Sequence, residues 1–266
     1  MSRVWLWSYL FVSVTFSFAF AQASADPLSA HRPEGQSYQA FISKKPFYQF
    51  APATAHDLRV PVKKLDSSKA AEWKLTREEF LESFANIRDD RFLFEKDRPE
   101  FPRRLSWLYP DDGCPYRAEF MARLQDEAKL PAPSKVFAFG NLKVSTTNHP
   151  DGYVTWWYHV AISYRYGKTV WVFDPSVEPL RPLSVREWTD RMGGDKASIT
   201  VSLCDQHALS PYSTCRGGGA PNPSESLKYQ QFYLTQEWKR VVDLKESPEK
   251  VLGEEPPWNN PTDLLE

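Results

Sequence analysis

The stretch YVTWWYHVAISYRYGKTVWVFDP, residues 153–175, decides the fold. From Tyr153 to Tyr166 it is dense in aromatic and β-branched side chains, the composition of a strand. Gly167-Lys168 then offers a two-residue hairpin turn, with glycine where a type II′ turn requires positive φ. Thr169 to Asp174 is the returning strand, and Pro175 stops it. That turn sets the register: Tyr166 faces Thr169 and Ala161 faces Asp174. His159 lies two residues from Ala161 and therefore points to the same face as Asp174. The two side chains are diagonal neighbours within hydrogen-bond reach. A histidine oriented by an aspartate is the base-and-orienter half of a nucleophilic site, or else a structural pair at the end of a hairpin.

Working outward, residues 135–144 read as a further strand. Ahead of it stands Tyr109-Pro110-Asp111-Asp112-Gly113-Cys114-Pro115. Tyr116, Phe120, Met121, Leu124 and Ala128 mark one face of a helix that ends before Pro131. Proline suits a first helical turn, where its missing N–H leaves nothing unpaired, so Cys114 sits at or beside the helix start. There the macrodipole and free N–H groups favour a reactive thiolate. The alternative is an inert buried cysteine. Thr76 to Glu79 form a capping box that opens a helix over 77–89, with Phe80, Leu81, Phe84 and Ile87 at helical spacing. Ser184 to Glu187 form a second capping box, opening a short helix that ends at Gly193-Gly194. A strand over 199–203 and a helix over about 226–244 complete the reading. Residues 41–50 could form another strand.

The full chain has 266 residues, a formal net charge of −1, 41% hydrophobic and 15% aromatic residues. No basic stripe is present, which argues against a nucleic-acid partner. Residues 1–25 read as an export signal: Arg3 precedes a long apolar run that closes on Ala19, Ala21, Ala23 and Ala25, small residues suited to a signal peptidase. An uncleaved anchor is the competing reading. Cleavage would leave a secreted or periplasmic protein without stable membrane insertion. The three cysteines make an odd count in an exported chain. Cys204 and Cys215 are close enough to be the natural bridge in an oxidising compartment, which leaves Cys114 as a lone thiol. Zinc held by Cys204, His207 and Cys215 is disfavoured for want of a fourth ligand. His31, His56 and His149 lie in polar, loop-like stretches.

A thiol at a helix start, a histidine on a strand and an aspartate on the next strand follow the chain order of papain-like and transglutaminase-like enzymes. Closer still, Tyr109 to Cys114 with Arg117-Ala118 resembles the nucleophile motif of bacterial protein-glutaminases. Gly140-Asn141-Leu142-Lys143 with Ser145-Thr146, Tyr158-His159-Val160-Ala161, and Asp174-Pro175-Ser176 resemble further blocks of that family, in its order. The resemblance implies an α+β fold, with a central helix that carries the nucleophile packed on an antiparallel sheet. It implies deamidation of glutamine side chains in proteins and peptides by Cys114, His159 and Asp174, through a thioester and without a metal or organic cofactor. The same residues would serve a transglutaminase-like acyltransferase or a cysteine peptidase, and a non-catalytic binding protein on this scaffold is a further alternative. The expected organisation is a signal over 1–25, a pro-segment or N-terminal extension over 26–73, a catalytic domain over 74–246 and a flexible tail over 247–266, as a monomer.

Overall fold

The computed structural model describes residues 26–45 and 53–260. The signal-peptide reading of residues 1–25 therefore lies outside the described residues. In chain order the elements are α1 (Tyr38–Ile42), β1 (Val60–Pro61), α2 (Arg77–Asp89), β2 (Leu93–Glu95), β3 (Arg98–Arg103) and α3 (Cys114–Glu127). Next come β4 (Ser134–Ser145), β5 (Tyr153–Tyr166), β6 (Thr169–Phe173), β7 (Leu183–Ser184) and α4 (Val185–Arg191). The chain continues through β8 (Thr200–Asp205), α5 (Pro223–Asp243) and α6 (Pro248–Val251). One sheet runs β1-β8-β4-β5-β6-β7 with antiparallel pairing throughout, and β2-β3 forms a separate ribbon.

The β5-β6 hairpin has the register its sequence predicts. Tyr166 pairs with Thr169 and Ile162 with Phe173, which brings Asp174 opposite Ala161 just past the ladder. Gly167 has φ of 65°, as the turn demands. β4 and β5 form the buried centre of the sheet, and their long apolar runs reflect cover on both faces. On one face α2 lays down Phe80, Phe84 and Ile87, as its spacing requires, behind a complete Thr76–Glu79 capping box. Phe80 meets Phe173 edge-on at 4.9 Å, and Trp73 meets Tyr164 at 5.0 Å. α3 packs on β5 and is buried from Cys114 through Ala122, so even its polar residues are enclosed. Glu119 is one of these, paired at 2.8 Å with the fully buried Lys135 of β4. This is the expected α+β arrangement: an antiparallel sheet with a central helix that begins at the thiol.

Two readings need correction. Residues 38–42 form a helix where a strand over 41–50 was an option, because Ser37 caps the backbone N–H of Ala40; residues 46–52 lie outside the described set. Residues 247–260, read as a flexible tail, are packed. Trp258 is buried, its indole N–H donates to Asp89 at 2.8 Å, and Arg104 donates to the carbonyls of Leu252 and Gly253. Polar composition concealed one aromatic anchor.

Candidate active site

Cys114 opens α3 because of what precedes it. Gly113 takes φ of 83° as the N-cap, and a Cβ there would stand 2.8 Å from the Tyr233 ring, so only glycine fits. Arg117, one turn on, reaches back and donates to the carbonyls of Tyr109 and Asp112, at 3.2 and 2.7 Å. The loop before the thiol is thus held by a buried guanidinium.

His159 comes from β5 and Asp174 from the end of β6. Their separation is 2.7 Å, His159 Nε2 to Asp174 Oδ2, and both are buried. This bond places the imidazole proton on Nε2 and leaves Nδ1 as the acceptor nitrogen. His159 Nδ1 is buried without a partner among the described residues. Cys114 lies against the same strand, its sulfur near the backbone N–H of Val160, the residue after His159. The structure therefore brings the three sequence-predicted residues to one locus: His159 and Asp174 joined by a hydrogen bond, and the thiol at the start of α3, which packs on β5.

Several neighbours escaped the sequence reading. Asp174 accepts from Trp188 Nε1 on Oδ2 at 2.8 Å and from Ser176 Oγ on Oδ1 at 2.6 Å. Burial alone would raise its pKa, but the facing His159 charge and the bonds from His159, Ser176 and Trp188 hold it below the ordinary carboxylate range. The Trp156 ring stacks on the imidazole, with centroids 4.3 Å apart and planes within 8°. Its indole N–H is tied to the Asp111 carbonyl at 3.0 Å, which links the strand to the nucleophile loop. Tryptophans on a strand carry no sequence signal that separates such a role from core packing.

Burial opposes the activation of the thiol expected from its helix-start position. Cys114 is 1% exposed. Burial pushes its pKa up, and the nearby Arg117 charge only partly offsets this. An N-terminal segment packs against the same strand and against the loop before the thiol. Residues 28–32 run along the edge of β5 that β6 leaves free. Trp157 N donates to Ala30 O and Arg32 N to Thr155 O, each at 3.0 Å, and His31 bridges Trp156 antiparallel. Asp112 grips the same segment, accepting from the Ala30 N–H at 2.9 Å and from the Ser29 hydroxyl. Asp26 receives the hydroxyls of Tyr116 and Tyr233, at 3.0 and 2.6 Å. His31, read as lying in a loop-like stretch, is exposed and makes an isolated bridge to Trp156. Cys204 and Cys215 form a disulfide, which leaves Cys114 as the free thiol among the described residues.

A family model described as glutaminase matches residues 80–192, a span that includes Cys114, His159 and Asp174. No curated protein matches the chain. Among the solved structures that align with it are three protein-glutaminase structures. The crystal structure of pro-protein-glutaminase aligns over 57% of this chain and 54% of its own, at 22% identity and a TM-score of 0.40. The crystal structure of protein-glutaminase aligns over 58% and 82%, at 23% and 0.41. The NMR structure of protein-glutaminase from Chryseobacterium proteolyticum aligns over 68% and 90%, at 22% and 0.45. The chain thus spans about half the length of the pro-protein-glutaminase structure.

Proposed function

With residues 80–192 carrying the glutaminase family's pattern, we propose that this protein deamidates glutamine side chains in proteins or peptides, releasing ammonia. The observation that carries the reading is the state of His159. Its Nε2 is committed to Asp174, and its Nδ1 is unpartnered on the strand that contacts the Cys114 sulfur. A nucleophile, its base and the base's orienter are the parts that acyl transfer needs.

In this mechanism His159 Nδ1 takes the Cys114 proton, and the thiolate attacks the side-chain amide carbon. The oxyanion collapses, the C–N bond breaks, and the imidazolium proton goes to the departing ammonia. A thioester remains on Cys114. His159 Nδ1 then removes a proton from water as its oxygen attacks, and the thiol leaves with that proton, giving glutamate. Asp174 stays ionised, keeps the imidazole in one tautomer and stabilises the imidazolium.

The N-terminal segment belongs to the same reading. Residues 26–73 act as a pro-segment or restraining extension whose portion 28–32 blocks the thiol, and an exported chain would be opened outside the cytoplasm. The test is incubation of a glutamine-containing protein with excess primary amine, followed by mass spectrometry and ammonia assay. A one-dalton gain at glutamine, little at asparagine, and loss of both with Cys114→Ser is the expected result. A misplacement of about one ångström costs on the order of a hundredfold in rate, which is why the shorter asparagine side chain should fail. Mainly amine adducts would point to a transglutaminase-like acyltransferase instead, and cut backbones to a cysteine peptidase.

A further inference from the structure

Trp188 lies outside every motif that marks the site in the sequence, yet its indole meets both partners of the His159–Asp174 pair. It is fully buried, at 0% exposure, on α4. Its Nε1 donates at 2.8 Å to Asp174 Oδ2, the same oxygen that His159 Nε2 reaches at 2.7 Å. Its ring centroid is 5.6 Å from the imidazole, tilted by 36°. On the imidazole's account the ring of Trp156 is also present, at 4.3 Å.

Asp174 needs such a partner. It follows the last ladder residue of β6 and precedes a proline, so no strand pairing fixes its backbone beyond Phe173. A carboxylate also turns about a broad, roughly two-fold terminal torsion. Ser176 is two residues away on the same loop and moves with it. Trp188 is different in kind, because it is anchored elsewhere. The Ser184–Glu187 capping box starts α4, and Arg181 holds Glu187 at 2.9 Å, so the indole approaches from an independently fixed helix. An indole N–H is a donor only. It can hold the carboxylate oxygen without accepting the imidazole proton, and its bulk keeps water from the bond.

We propose that Trp188 is a positioning residue for the reaction. It fixes Asp174 Oδ2 toward His159 Nε2 and so holds the tautomer in which Nδ1 is free for the thiol. The proposal rests on the reading that Cys114 and His159 act as nucleophile and base, and it extends that site to α4.

The experiment replaces Trp188 in the full chain by β-(benzothiophen-3-yl)alanine, which keeps the bicyclic shape and removes the N–H. Two quantities are read. The first is the downfield proton resonance of His159 Nε2–H in the resting protein. The second is hydrolysis of a glutamine peptide under conditions where the parent chain is active. Loss of a donor to a charged acceptor predicts a fall in kcat of roughly ten- to a hundredfold with KM unchanged, and a displaced or exchange-broadened resonance. Trp188→Phe should move both quantities the same way. A parent-like resonance together with a parent-like kcat in the isostere would overturn the proposal. So would an unchanged resonance by itself, whatever the activity. If the parent chain hydrolyses no glutamine, the proposed function fails, while the resonance still decides whether Trp188 holds the pair.

Discussion

Asp112 and Asp174 lie within the same buried region, yet they are pushed in opposite directions. Asp174 has three donors, from His159, Ser176 and Trp188, and its pKa is held down. Asp112 is raised to about 6, first by burial and then by the neighbouring Asp26 charge, against the bonds from Ser29, Ala30 and Gly113. The consequence for stability has a definite sign. A carboxylate whose folded pKa exceeds its unfolded value binds protons more tightly when folded, so stability falls as pH rises between the two values. For Asp112 that window runs from the ordinary 3.8 to about 6. Asp174 works the other way and contributes stability that is lost only as pH drops through the acid range. Asp112→Asn should therefore remove the decline over the Asp112 window and gain stability relative to the parent chain above pH 6. Thermal unfolding followed from pH 4 to 7.5 would test this, and parallel curves for the two proteins would refute it.

At the scale of elements, the telling feature is how α5 is tied to the site. Arg103 on β3 is 1% exposed and lies between Glu95, at 3.1 Å, and Glu237 of α5, at 2.5 Å. Glu237 also accepts from the Leu108 N–H at 2.8 Å, so α5 is linked to the segment leading into the nucleophile loop. Asp111 in that loop is held by Arg240 of α5 through paired contacts at 2.5 and 2.8 Å. Breaking a buried ion pair by removing one partner typically costs about 3–5 kcal/mol, because an unpaired charge is left enclosed. Arg103→Met would leave two carboxylates without their shared cation. It should destabilise the protein by about that amount, measured by urea unfolding. A loss under about 1 kcal/mol, the range of an exposed pair, would show that the triad carries no such weight. The sequence displayed the ends of these elements well, since both capping boxes appear where they were read. It displayed none of the ties between them, because an arginine on a short ribbon resembles any surface arginine until the partners converge.

For the molecule as a whole, residues 28–32 pair along β5 from far away in sequence, and the proposed pro-segment would keep the thiol enclosed. The thiol is free, yet enclosed. Iodoacetamide should therefore label Cys114 slowly in the intact chain and much faster after limited proteolysis ahead of residue 76. Ammonia release from a glutamine protein should rise in parallel. Cys204 and Cys215 should stay unlabelled until reduction, since they form the disulfide. Equal labelling rates and equal activity before and after trimming would mean that residues 26–73 are structural only. Alkylation at Cys204 without reductant would contradict the pairing.

What the amino-acid order determined alone was local and periodic. The hairpin over 153–174, its register, the helix that starts at Cys114 and the approach of His159 to Asp174 all follow from turn chemistry and side-chain alternation. Each involves residues a few positions apart on one continuous backbone path. The tertiary structure decided the rest. Trp188 reaches Asp174 from α4, Trp258 packs beside Asp89, and residues 28–32 pair along β5. These contacts join segments with no shared period or turn to relate them, so no local pattern predicts them. They arise because an enclosed carboxylate, an indole N–H and an unpaired strand edge each require a partner once water is excluded.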